Sequence, residues 1–240
     1  VGMTGFEPRD LDRLLAIPAD EADPDDTFPS PQTALPPVSR LGDVWNLGNH
    51  RVICGDARDE NMWWDLMHGE KATIAFTDPP YNVRIGGNVS GLGRHKHREF
   101  AMASGEMSSQ EFTNFLRETV TLMAQNSVEG SVHYICMDWR HSEVLKDAAS
   151  EIYSSMLNWC VWVKNNAGLG VNYRSRHEFV LVFKKGTVSH VNNFGLGGTG
   201  RYRTNVWAYA GANSFGSKRA EELAMHPTVT PVRTLEDALL

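Results

Sequence analysis

Thr73-Ile74-Ala75-Phe76-Thr77-Asp78-Pro79-Pro80-Tyr81 is a short apolar run that ends in a carboxylate, two prolines and an aromatic ring. The run has the length and composition of a buried strand. Proline lacks an N–H and fixes φ, so Pro79-Pro80 makes a stiff turn and aims its carbonyls outward. In an open α/β sheet, ligands bind just beyond the carboxyl ends of strands. The tetrad is therefore well placed to grip a flat base that carries an exocyclic amine. Asp78 can accept one amine N–H, the Pro79 carbonyl the other, and Tyr81 can stack on the ring. Such a grip aims the nitrogen lone pair at an electrophile, which is positioning and electrostatics rather than strong base catalysis. Taken alone, the tetrad is more simply a strand-end turn, with Asp78 capping local amides and Tyr81 packed on the surface. Its surroundings decide between the two.

Working outward, β and α signals alternate. Arg51-Val52-Ile53-Cys54 reads as a short strand ending at Gly55-Asp56. Residues 109–125 read as a helix: Ser108 caps it, Glu111 completes a capping box, and Phe112, Phe115, Leu116, Val120 and Met123 form an apolar face. Val132 to Met137 is a further strand and roughly 141–155 a helix. Cys160 to Lys164 and Phe179 to Lys184 are a pair of strands that could be neighbours. This alternation predicts a mainly parallel sheet with helices on both faces, an α/β fold. From Gly186 to Ala212 the chain is rich in Gly, Asn, Thr and Arg, with little periodicity.

The 240 residues are 41% hydrophobic, enough for one sizeable domain with a real core. No apolar run reaches the length of a membrane span, and no basic-then-apolar leader opens the chain, so a cytoplasmic protein without a membrane partner is expected. Cys54, Cys136 and Cys160 form no CxxC pair and sit in apolar runs, so all three are expected as buried, reduced thiols. The formal charge of −6 is carried by residues 1–39, where eight acids face two bases. The remainder has as many bases as acids, and a neutral body can still present a basic face to phosphates. Residues 18–39, rich in Pro, Asp and Ala, read as an acidic linker. The domain of interest is then 40–240.

Four ordered stretches resemble one family. Phe76-Thr77-Asp78-Pro79-Pro80-Tyr81-Asn82-Val83 is similar to motif IV of the amino-group DNA methyltransferases. Gly48 to Ala57, with Cys54-Gly55-Asp56-Ala57, resembles the segment ahead of motif IV in the β class. Trp162-Val163-Lys164-Asn165-Asn166, then Tyr173-Arg174 and His177-Glu178, resemble that class's motif VIII region. His226-Pro227-Thr228-Val229-Thr230-Pro231-Val232 resembles motif X. The order is that of the circularly permuted β class, and bacterial enzymes with a ParB-like domain ahead of the methylase are the nearest in pattern. Residues 1–39 would then be the tail of that domain plus the linker.

The resemblance implies a Rossmann-like methyltransferase fold, S-adenosylmethionine as methyl donor and double-stranded DNA as substrate. It makes Asp78, Pro79, Pro80 and Tyr81 the catalytic turn. Asp56, Asp78, His226, Pro227 and Thr228 become the donor contacts, with Asp56 at the end of its strand bonding the donor's adenine amine. Asp in the tetrad is typical of adenine N6 enzymes, whereas cytosine N4 enzymes usually carry Ser. Cytosine N4 transfer, or a DNA-binding remnant without donor binding, are the alternatives. The family often has Lys where Thr230 stands, so a cation is missing there. A homodimer and a cognate restriction endonuclease are partners compatible with such an enzyme.

Two basic stretches are candidates for DNA contact. The Gly-rich loop from Arg84 to Arg98, with Arg94, Lys96 and Arg98, follows Tyr81 directly and could close over a flipped base. Arg201 and Arg203, with Asn205, fall in the stretch (about 186–222) where β-class enzymes place target recognition, and Arg and Asn read guanine and adenine edges well. Gly195-Leu196-Gly197-Gly198-Thr199-Gly200 matches G-x-G-x-x-G, but neither a buried strand before it nor a helix after it fits, so a loop is expected. The cysteines and nine histidines give no metal signal. His133-Tyr134 is expected in the core or the wall of the site.

The β class places motif I, FxGxG, after motif X. The chain stops at Leu239-Leu240, before such a segment, and begins at Val1. The expectation is an incomplete reading frame in which two strands between the Asp56 strand and the Asp78 strand are missing. The isolated 240 residues should then bind donor poorly and transfer little methyl. Robust methylation of DNA by this chain alone would contradict that expectation.

Overall fold

A computed structural model describes residues 38–84, 100–165, 167, 172–190, 204–209 and 230–239. Strands β1 (Val44–Leu47) and β2 (His50–Ile53) open it, followed by α1 (Glu60–Met67) and β3 (Ala72–Thr77). Then come α2 (Ser109–Gln125), β4 (Ser127–Met137), α3 (Ser142–Ala149), β5 (Ser155–Val163), β6 (His177–Lys184), β7 (Val206–Ala208) and α4 (Val232–Leu239). The α/β class expected from the sequence is what is found.

Five strands form one sheet in the order β3-β4-β6-β5-β7. The pairings β3–β4 and β5–β7 are parallel, whereas β6 runs antiparallel to both β4 and β5. The expected mainly parallel sheet is thus a mixed one. No helix separates β5 from β6 among the described residues, so no helical crossover returns the chain to a parallel start. The anticipated neighbours Cys160–Lys164 and Phe179–Lys184 do pair, as β5 and β6, with Cys160 opposite Val180.

Period-two alternation sorts the strand side chains onto two faces. Ile135, Met137, Leu181 and Phe183 pack with Phe112, Phe115, Leu116, Val120 and Met123 of α2 and Leu145, Ala148 and Ala149 of α3. Val132, Tyr134, Cys136, Val180 and Val182 form the opposite face with Cys160, Trp162 and Ala238 of α4. Helices therefore cover both faces. Burying each large side chain of this kind stabilises by about 1.5–3 kcal/mol.

Helix α2 has the predicted bounds and cap. The Ser108 side chain accepts from the Glu111 N–H, and the Glu111 carboxylate accepts from the Ser108 N–H at 2.8 Å. Helix α3 is shorter than 141–155. It ends at Ala149, and the Ser150 hydroxyl donates to the Asp147 carbonyl. Strand β4 starts earlier than Val132. Its first residues contain a register shift against β3, with Ala72 opposite Ser127 but Ile74 opposite Val132. Gly130 lies in this shifted stretch at φ +81°, and a Cβ there would meet the Ser189 carbonyl oxygen at 2.8 Å.

Among the described residues, strand β2 pairs with β1 as an antiparallel hairpin and with no strand of the main sheet. Two further expectations need correction. Cys54, just past β2, is consequently exposed, while Cys136 and Cys160 are buried as expected. The stretch 186–212 is not all irregular, because Val206–Ala208 form β7 beside β5. The Asn205 side chain donates to the Trp159 carbonyl at 3.2 Å, so that residue anchors the strand. The G-x-G-x-x-G loop and residues 18–37 of the linker lie outside the described residues.

His133 is fully buried on the α2 side of the sheet, bonded to Ser131 Oγ and to Tyr153 Oη. Burial, then the Lys185 charge, pushes its imidazole down to about 4, so it is a neutral core group. None of the described helices is long and apolar enough to cross a membrane. Removing the α2 cap by Ser108→Ala should cost about 1 kcal/mol of stability, measured by urea unfolding, because the Glu111 N–H loses its side-chain acceptor.

Candidate active site

The carboxyl ends of β3, β4 and β5 and the amino end of β6 lie along one edge of the sheet. This follows from the pairing: Thr77 is opposite Ile135, Met137 is opposite Phe179, and Trp162 is opposite Glu178. Residues just past those ends are therefore brought together. They are Asp78 after β3, Lys164 after β5, and Glu178 near the start of β6.

At that edge Asp78 accepts a hydrogen bond from the Tyr81 hydroxyl at 2.5 Å through Oδ1. Its Oδ2 accepts from the Thr230 hydroxyl at 3.0 Å. The Tyr81 hydroxyl also lies 3.1 Å from Glu178 Oε2. The other Glu178 oxygen pairs with the Lys164 ammonium, which stands over the Trp162 ring, 4.5 Å from its centroid. Thr230, where the resembling family often has Lys, is thus a direct partner of the tetrad's carboxylate.

Asp78 keeps accessible surface, yet Tyr81, Thr230 and Glu178 crowd it. Desolvation by the surrounding protein, then the Glu178 carboxylate, pushes Asp78 up to about 6. The bonds from Tyr81 and Thr230 and the Lys164 charge pull the other way. Water still reaches the group, so this is a bias towards protonation and not a locked neutral acid. Burial and the same two carboxylates hold the Tyr81 phenol well above its usual range. Burial, then Asp78, does the same to the Cys136 thiol.

The turn itself is fixed from the other side by Asn82. Its φ of 53° is a left-handed conformation that asparagine tolerates better than most residues. Its amide donates to the Met107 carbonyl at 2.8 Å, and its Oδ1 accepts from the Gly105 and Met107 N–H groups at 3.0 and 3.2 Å. One side chain thereby ties the tetrad to the segment leading into α2. Sequence reading did not find this clamp. The only local signal was an asparagine directly after the tetrad.

A cavity of about 560 Å³ adjoins the turn, between β3 and α2. Thr77, Pro79 and Pro80 line it on one side, Phe115, Leu116 and Thr119 on another, with Ala57 and Trp63 across from them. Most of its lining is apolar. Asp56 neighbours Ala57 and follows the end of β2, the second strand of the hairpin. Its carboxylate accepts from the Arg58 backbone at 3.0 Å and from the Arg58 guanidinium at 2.8 and 3.1 Å. The Arg58 side-chain bond holds it below the usual carboxylate range.

Of the other expected site residues, Arg84 is exposed at the end of the described turn. Arg94, Lys96, Arg98, Arg201, Arg203, His226, Pro227 and Thr228 lie outside the described residues. Lys164 and Glu178 stand in the stretch that resembles motif VIII, which by itself assigns them no role. Their link to Tyr81 spans nearly a hundred positions in the chain, and no local pattern signals it.

Comparison with known proteins follows the same line. A family model described as DNA methylase matches residues 72–240, from the first residue of β3 onward. No curated protein sequence is detectably similar to the chain. Among solved structures, the M1.HpyAVI–SAM complex is 17% identical, with 77% of this chain and 72% of that one covered and a TM-score of 0.47. PvuII DNA methyltransferase, cytosine-N4-specific, is 14% identical over 72% of this chain and 65% of that one, with a TM-score of 0.49. The family match spans more than half the sequence and contains the whole strand-end site, so the chain belongs to the N6/N4 DNA methylase family.

Proposed function

We propose that the protein transfers a methyl group from S-adenosylmethionine to the N6 amine of adenine in double-stranded DNA. The observation that carries this reading is the Asp78 carboxylate, held at a strand end beside an aromatic ring and followed by a Pro-Pro turn. A base flipped out of the duplex would stack on Tyr81 and donate its amine hydrogens to Asp78 and the Pro79 carbonyl. In the enzymes that the tetrad resembles, Asp at this position accompanies adenine and Ser accompanies cytosine. Asp78 therefore supports adenine over cytosine N4.

S-adenosylmethionine, when bound, supplies a methyl group activated by a sulfonium. The cavity beside Pro79-Pro80 fits the apolar parts of such a donor, since its volume lies in the range of small-molecule sites and its walls are largely apolar. Asp56 next to Ala57 keeps one unused lone pair, on Oδ2, beyond its three Arg58 bonds and could accept an adenine amine. His226, Pro227 and Thr228 would complete the donor contacts. Arg84, with Arg94, Lys96, Arg98, Arg201 and Arg203, would meet the DNA backbone and base edges.

Asp78→Ala in the full-length protein tests the reading. It should reduce transfer of labelled methyl from S-adenosylmethionine to DNA by more than about 100-fold, the scale of losing one preorganised electrostatic contact. Circular dichroism should show the fold retained. Tyr81→Ala should weaken binding of a flipped base by ~1–3 kcal/mol, as other base–aromatic stacks do. Normal turnover by the Asp78 variant would place the acceptor site elsewhere.

A further inference from the structure

Tyr81 has one hydroxyl proton and two carboxylates within reach. Asp78 Oδ1 is at 2.5 Å and Glu178 Oε2 at 3.1 Å. If both carboxylates are ionised, that proton can serve only one of them, and the other faces a phenol lone pair. Two features make the arrangement tolerable. Lys164 neutralises Glu178 from its far oxygen, and Trp162 stabilises the ammonium through its ring face. Both charged side chains are largely enclosed, with 24% and 18% of their surface exposed, so their attraction is weakly screened.

We propose that Glu178, fixed by Lys164, is a positioning residue of the acceptor pocket: it competes with Asp78 for the one Tyr81 hydroxyl proton, so that its charge decides how firmly the stacking ring is tied to Asp78. The catalytic consequence rests on reading Asp78 as the amine acceptor. The linkage among the four side chains does not.

The charges and dipoles that face Asp78 come from each element around it. Tyr81 lies in its own turn, the Cys136 thiol on β4, Glu178 on β6, Lys164 after β5, and Thr230 ahead of α4. Among these Glu178 is the one nearby negative charge, and Lys164 the one nearby positive charge. An acceptor of amine hydrogens must be ionised, so transfer should fail as pH falls through the Asp78 midpoint near 6. Removing the Glu178 charge should move that midpoint down, and removing the Lys164 charge should make the site take up its first proton at higher pH.

The test uses the whole protein labelled with 13C at aspartate and glutamate side-chain carboxyls, with the Asp78 signal assigned through Asp78→Asn. In Glu178→Gln the Asp78 midpoint should fall by roughly one pH unit, the scale set by a like charge at this distance. In Lys164→Met the first of the two carboxyls to protonate should do so at higher pH than in the parent. Lys164→Arg should restore the parent behaviour, and it serves in place of the Met variant if that one does not fold. Where methyl transfer is measured, its acid limb should move down with Glu178→Gln. An Asp78 midpoint unchanged in Glu178→Gln would overturn the proposal, whatever the activity. Midpoints that shift as described, without any methyl transfer by the full-length parent protein, would leave this linkage standing and sink the methyltransferase reading instead.

Discussion

Strand β6 runs against both of its neighbours, hydrogen-bonding to β4 from Phe179 to Lys184 and to β5 from His177 onward. Because it is reversed, its first residues sit where the strands on either side finish. A strand's carboxyl end exposes carbonyls and loop side chains, whereas an amino end brings a fresh segment of chain to the same rim. The mixed sheet therefore assembles Asp78, Lys164 and Glu178 along one edge. In a sheet of parallel strands throughout, Glu178 would begin at the opposite edge, and the Tyr81 hydroxyl would have one carboxylate near it instead of two.

The local chemistry follows from that convergence. Enclosing walls and a second carboxylate raise the affinity of Asp78 for a proton, while Tyr81, Thr230 and Lys164 oppose them. The result is a carboxylate balanced near the edge of its working range. Such a group accepts hydrogen bonds from an amine without being a strong base, which suits transfer that depends on lone-pair orientation. Asn82 supplies the rigidity that this balance needs, since its three bonds to the Gly105–Met107 segment hold the turn in place.

Much of this was legible in the sequence wherever information was local. The strand before Asp78, the helix Ser109–Gln125 and its capping box each depend on residues within a few positions of one another. The helix faces could be read because α2 has a sharp apolar stripe. What failed depended on pairing. The pattern at Arg51–Cys54 looks the same whether the strand enters a central sheet or folds back on Val44–Leu47, so the strand is legible but its hairpin partner and the exposure of Cys54 are not. Strand direction is likewise invisible in an apolar run, which hid the reversal of β6. Short β7 carries too few residues to show a period. In the site, the tetrad was legible, but its partners Glu178 and Thr230 lie 97 and 152 positions from the groups they touch.

The central claim is that the edge beside β3 receives an amine-bearing base from DNA. The most direct measurement is the identity of the modified nucleoside, after the full-length protein is incubated with unmodified duplex DNA and S-adenosylmethionine and the DNA is digested for mass analysis. The account predicts N6-methyladenine, dependent on the donor. Methyl groups found only on ring carbons, where no exocyclic amine is involved, would contradict it.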